Sequence, residues 1–243
     1  NKELELMKIS GRIAAVALKK ALGNINPDVL CTDLEKIVSS YITKAKAKPS
    51  FATVDDYKWA TCITLNNQVV HGIPKPVRLK EGDIISVDTG AIYKGLHSDM
   101  AITVPVGKVS ASTLHFLQIG KKTLAKAIKQ ARVGNRIGDI SSTIQQNIES
   151  AGYSIVKSLT GHGIGYELHE EPMVPGFGQN GTGPKIQEGM TLAIEVIYAQ
   201  GSGEVYLEKD GWTITTQDGS LAGLYEQTIA VAQKGPIVLT PYI

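Results

Sequence analysis

Glu195 lies inside the run Leu192-Ala193-Ile194-Glu195-Val196-Ile197, and Glu226 inside Leu224-Tyr225-Glu226-Gln227-Thr228-Ile229-Ala230-Val231. Runs this apolar read as buried strands, where an ionised carboxylate is very costly without a partner. No Arg or Lys interrupts either run. Each carboxylate must therefore stay protonated or find positive charge elsewhere, and a fold that buries both strands has to bring that charge to them.

The surrounding pattern sets the fold class. Apolar residues recur at helical spacing from Leu4 to Leu22 and stop at Gly23-Asn24. A second helix is expected from an Asn26 N-cap with Pro27 at its first position, its apolar stripe ending before Lys44, Lys46 and Lys48. Short β-rich runs follow at 62–65, 69–70, 84–87 and 101–104. Helical period returns over 110–131 and about 137–151, and strands again at 191–198, 204–208, 212–215 and 227–232. Each half reads as two helices and then strands, dividing near Lys108 into 1–108 and 109–243, which predicts one α+β domain. A central antiparallel sheet with the helices packed on one face is the simplest layering, with a site between the halves.

Composition narrows the function classes. In 243 residues, 42% hydrophobic and 20% charged, there is no signature of disorder, collagen or coiled coil. The net charge of +2 gives no support for a polyanionic partner, and the three lysines read as a solvated helix end. Two cysteines, Cys31 and Cys62, cannot build a disulfide framework. No window approaches a membrane span, and the apolar run 13–18 is short for a signal peptide. A soluble cytoplasmic monomer is the expectation.

Two further groups of residues could carry chemistry. Asp88 closes the run at 84–87 and Asp99 opens the run at 101–104, with Tyr93-Lys94-Gly95 between them. A hairpin turn centred between Tyr93 and Lys94 would set the two aspartates directly opposite one another on one face. Carboxylates so placed repel unless a proton or a cation lies between them. The segment Gly161-His162-Gly163-Ile164-Gly165, followed by His169-Glu170-Glu171-Pro172, combines two histidines with glycines that either form a turn or let backbone approach something closely. A phosphate cradle has little support, since no Lys-Ser or Lys-Thr follows. Two Asp, two Glu and one His would make an oxygen-rich set with four negative charges, better matched to two divalent ions than one. The other reading is an acidic cluster kept neutral by protonation or by remote lysines.

These residues, together with His71 in Val70-His71-Gly72-Ile73-Pro74, resemble in order and interval the site of the type I methionine aminopeptidases. The intervals are 11 between the aspartates, 7 between the histidines and 31 between the glutamates, and the likeness spans about residues 5–235. The resemblance implies a pseudo-twofold pita-bread fold and five metal ligands, Asp88, Asp99, His162, Glu195 and Glu226, with Asp99 and Glu226 bridging two divalent ions (Mn, Fe, Co or Zn). It implies removal of N-terminal Met from polypeptides with a small second residue by an activated water. Glu195 would shuttle the proton, His169 would bond the carbonyl oxygen or developing oxyanion, and His71 would meet the peptide nitrogen. Tyr57, Cys62 and Trp212 resemble walls of the methionine pocket, with Phe51 and Val54 nearby. Leu168 and Val54 stand where an aromatic residue is common.

His97 and His115 are read as structural. A type II insertion has no room between Glu171 and Glu226, and any ribosome contact would be made through the body of the domain. The competing expectations are an aminopeptidase P or prolidase, which cleaves before proline, and an inactive binding module of the same fold, which would lose ligands.

Overall fold

The computed structural model describes residues 2–243. Among these residues four α-helices, α1 (Lys2–Leu22), α2 (Cys31–Lys44), α3 (Ala111–Ile128) and α4 (Ile137–Glu149), accompany thirteen strands. Those that build the site are β2 (Thr61–Leu65), β3 (Gln68–Val70), β4 (Ile84–Tyr93), β5 (Leu96–Pro105), β7 (Thr160–Gly163), β8 (Glu170–Pro175), β9 (Thr191–Ala199), β10 (Val205–Leu207), β11 (Ile214–Thr216) and β12 (Ala222–Ala232). The expected α+β class, with a large antiparallel sheet, is what the chain adopts.

Ten strands form one sheet, in which β4, β5, β12, β9, β7 and β8 are successive neighbours and β2 pairs with β4. A second sheet of three strands runs β10-β11-β3. The helices meet the large sheet through the stripes that their periodicity predicts. Met7, Ile13, Ala14, Ala17, Leu18 and Ala21 of α1 are buried, and α1 packs on β4 and β5 while α3 packs on β9 and β12. Gly120 of α3 is the close point of that second contact, since a Cβ there would sit 2.5 Å from the Tyr198 hydroxyl and 2.6 Å from the Tyr225 ring. With this face covered, the polar chemistry is left to the other face.

Three expectations change. Asn26-Pro27 does not start α2, because the next residues pair instead with the segment before β4. Asp28 N–H donates to the Leu79 carbonyl at 2.8 Å, Leu79 N–H to Val29 at 2.9 Å and Cys31 N–H to Val77 at 3.0 Å, so the helix waits until Cys31. Of the two readings of the glycine-rich segment, the close backbone approach is the one adopted, and the segment makes it as strand β7 and not as a turn. Gly161 lies so close to β9 that a Cβ would stand 2.5 Å from the Ala193 carbonyl.

The third change is the β4–β5 register. Tyr93 pairs with Leu96, so the turn is centred between Lys94 and Gly95, and Asp88 faces Ala101 while Asp99 faces Gly90. Both turn residues have positive φ, 53° and 85°, the type I′ geometry that matches the twist of a two-residue hairpin. The aspartates are thus diagonal neighbours on one face, two residues apart in register, and both sit mid-strand.

Asn adopts positive φ more readily than Lys, so Lys94→Asn should stabilise the protein by about 0.5 kcal/mol. Urea unfolding would check this. A destabilised variant would speak against the Lys94-Gly95 turn.

Candidate metal centre

Cross-strand partners share a face, as do residues two apart along a strand. The register therefore draws two adjacent rows across the side of the large sheet that faces away from the helices. The first runs Cys62, Asp88, Ala101, Glu226 and Glu195 over β2, β4, β5, β12 and β9, every step a direct pair. The second, two residues away, holds Gly90 and Asp99 on β4 and β5, Thr228 on β12, then Ala193 paired with His162 on β9 and β7. Thr228 ties into this row through its hydroxyl, which donates to the Asp99 carbonyl at 2.7 Å. Ala101 and Ala193 stand between the acidic groups and leave room above the sheet.

All five residues predicted as ligands converge there. One ligand atom each from Asp99, His162 and Glu226 lies within 4.8 Å of the others, and His162 Nε2 is 3.7 Å from Glu195 Oε1. Asp99, His162 and Glu226 are 4%, 4% and 2% exposed, so water does little to screen them. Asp88 Oδ1, Asp99 Oδ1 and Glu226 Oε1 are buried without any hydrogen-bond partner. Native proteins rarely leave such atoms unmatched.

The electrostatics follow. Burial pushes the carboxyls of Asp88, Glu195 and Glu226 well above their usual range, and the Asp99 charge pushes each further. Asp99 rises to about 7, again through burial, with a hydrogen bond to Asp88 partly opposing it. His162 falls to about 4 because it is buried, so it is neutral at pH 7. Its Nδ1 lies 2.8 Å from the Gly163 carbonyl. In the tautomer that donates this bond, Nε2 carries a free lone pair facing the carboxylates.

The donor set fits divalent cations. Four carboxylates and one oriented imidazole offer hard oxygen and borderline nitrogen ligands, three oxygens are orphaned, and no Lys or Arg lines the cavity. Neutralisation by remote lysines is thus not what these residues are built around.

The cavity over the rows, about 130 Å³, is lined by these five residues and by the other predicted site residues, His71, His169, Tyr57, Cys62, Leu168 and Trp212. Phe51 and Val54 line it as well, and so does Val70, which the sequence reading did not single out. Its place in β3 directly before His71 was the available signal. Tyr57, Cys62 and Leu168 are buried. The Tyr57 ring meets Trp212 edge-on at 5.0 Å, and its hydroxyl donates to the Thr61 carbonyl at 2.8 Å. Leu168 closes the pocket with aliphatic surface.

His71 and His169 both reach solvent at the mouth. His71 has φ 59°, a strained setting of the kind that collects at functional sites. The His169 ring stands 4.5 Å from that of His162, and desolvation lowers its pKa. His97 is buried under this loop, its backbone N–H donating to Gly165, and does not line the cavity. His115 lies on α3 and lines a separate surface hollow.

Residues 5–229 match the model of metallopeptidase family M24. A methionine aminopeptidase of Clostridium perfringens is 42% identical over 98% of this chain and 96% of its own. The crystal structure of a methionine aminopeptidase from Thermotoga maritima superposes with a TM-score of 0.97 at 41% identity, covering 98% of this chain and 96% of that one. A prolidase from Pyrococcus furiosus shares the fold, with a TM-score of 0.81 at 22% identity, and 64% of its chain is covered.

A carboxyl whose folded pKa is raised costs stability as pH climbs from its unfolded value, about 4, through its folded value. In the presence of chelator, Asp88→Asn should therefore melt above wild type, by a margin that grows between pH 4 and 7 at about 2–4 °C per kcal/mol. Adding Mn should invert the order. A variant that melts below wild type at every pH in chelator would contradict the reading.

Proposed function

Because this chain belongs to metallopeptidase family M24, we propose that the centre serves a metal-dependent aminopeptidase that removes N-terminal Met from polypeptides, preferring a small second residue. The observation that carries the proposal is the convergence of three orphaned buried carboxylate oxygens and one oriented imidazole beside an apolar pocket. Identity to methionine aminopeptidases over nearly the whole length supports Met release rather than cleavage before proline. The relation to prolidase is one of fold.

Asp88, Asp99, His162, Glu195 and Glu226 would hold two divalent ions, and Mn, Fe, Co and Zn all suit the set. Such ions, when bound, lower the pKa of water and polarise a carbonyl. The other tasks fall to side chains. Tyr57, Cys62, Leu168 and Trp212 receive the unbranched methionine side chain and exclude water from it. Neutral His169 at the mouth donates to the scissile carbonyl oxygen and to the oxyanion that develops there, so its contribution grows toward the transition state. His71 orients the peptide nitrogen. Glu195, paired with Glu226 across the sheet and 3.7 Å from His162 Nε2, takes the proton from the attacking water and passes it to the leaving amine.

The two halves act as a single catalytic domain, and no described helix is long and apolar enough to cross a membrane. A monomer working in the cytoplasm on nascent chains completes the reading, any ribosome contact being through the body of the domain.

Metal-stripped protein reconstituted in turn with Mn, Fe, Co and Zn should release methionine from Met-Ala-Ser and not from Met-Lys-Ser. His169→Ala should lower kcat by about 10²–10³ with the ions still bound, and Glu195→Gln by about 10²–10⁴. No methionine released with any metal would overturn the proposal, and cleavage of Ala-Pro peptides instead would transfer it to the prolidase class.

A further inference from the structure

We propose that Lys75 and Asp210 are positioning residues that set the selectivity of the apolar pocket by holding Trp212 against Tyr57. The proposal rests on the aminopeptidase reading above and deepens it.

Lys75 follows His71 by four residues, and its Nζ lies 2.7 Å from Asp210 Oδ2 and 3.7 Å from Glu208 Oε2. Asp210 sits in the turn between β10 and β11. It also accepts the Trp212 N–H at 3.0 Å, the Thr213 N–H at 2.9 Å and the Thr213 hydroxyl at 2.6 Å. Burial opposes its charge, yet the bonds from Lys75, Thr213 and the two amides outweigh burial and hold the carboxyl below its usual range. The Asp210 side chain is 16% exposed and that of Lys75 42%, so the carboxylate is partly shielded while the ammonium stays in contact with water, and the strength of the clamp lies in the several bonds that meet on Asp210.

A second strap runs parallel to the first. Gln68 Nε2 donates to Glu208 Oε1 at 2.9 Å, and the Thr215 hydroxyl to the same oxygen at 2.7 Å. Between the straps, β3 and β11 share only the pairs Val70–Ile214 and Gln68–Thr215, with an irregular register. So short a ladder fixes orientation poorly, and the polar straps on either side of His71 supply what it lacks.

The effect on the pocket runs through Trp212. Its backbone N–H is anchored by Asp210, and its ring meets Tyr57 edge-on at 5.0 Å. Tyr57 is itself fixed through its hydroxyl to Thr61. Trp212 is therefore the adjustable wall, and Lys75 supplies the cation that steadies its turn. The acidic rows belong to the large sheet, whereas the clamp belongs to the small one. Loosening the clamp should change which side chain fits and how tightly, and leave turnover alone.

The test compares metal-loaded wild type, Lys75→Met and Lys75→Arg on Met-Ala-Ser and Leu-Ala-Ser. Lys75→Met should raise KM for Met-Ala-Ser about fivefold and narrow the Met-over-Leu preference in kcat/KM by a similar factor, with kcat within about twofold. Lys75→Arg should restore both. In a Trp59→Phe background Trp212 is the sole indole, and its quenching by acrylamide should increase in Lys75→Met. Unchanged KM, preference and quenching would overturn the proposal, as would a joint loss of kcat and Tm that Lys75→Arg does not restore. If wild type itself releases no methionine, the aminopeptidase reading fails, and the quenching comparison still decides the clamp.

Discussion

Four carboxylates on one face of a continuous antiparallel sheet, with no protein cation among them, are the constraint around which this molecule is arranged. Each would cost several kcal/mol to bury ionised and alone. They are tolerable because the sheet places them in two neighbouring rows, close enough for bound cations to be shared among them. The opposite face of the same strands is apolar and covered by α1 and α3, and this fixes the rows in register. A slip of one residue in β9 or β12 would exchange the acidic face for the apolar one. Fold and site are thus specified together by the alternation in a few strands.

Division of labour follows from the two sheets. The large sheet holds the charged rows rigidly, with Ala101 and Ala193 as spacers and Thr228 stitched to Asp99. The small sheet and its turn hold His71 and Trp212 at the mouth, tied by side-chain bonds more than by backbone pairing. Rigid charge and adjustable walls suit a centre whose chemistry is fixed and whose substrate pocket must admit and release a chain end.

Much of this was legible in the sequence, for identifiable reasons. Glu195 and Glu226 stood out because a charge within an apolar run has no ordinary explanation, and α1, α3 and α4 carry clear helical periods. The β4–β5 register is not encoded by the interval between Asp88 and Asp99; it is set by which two residues adopt positive φ, here Lys94 and Gly95. The strand nature of β7 is hidden in the sequence because Thr-Gly-His-Gly has little strand propensity of its own and owes its conformation to β8 and β9. The start of α2 is not legible because Asn26-Pro27 looks like a cap, while the backbone after it pairs with residues some fifty positions away, as in Asp28 with Leu79. The clamp through Lys75 and Asp210 links residues 135 apart, which no local pattern encodes.

The central claim, that the acidic rows exist to bind cations, is tested most directly by metal stoichiometry. Protein stripped with chelator and equilibrated against Mn by dialysis should retain two ions per chain, and Glu226→Gln should lose most of that metal. Retention of none by wild type, or equal retention by the variant, would contradict the account.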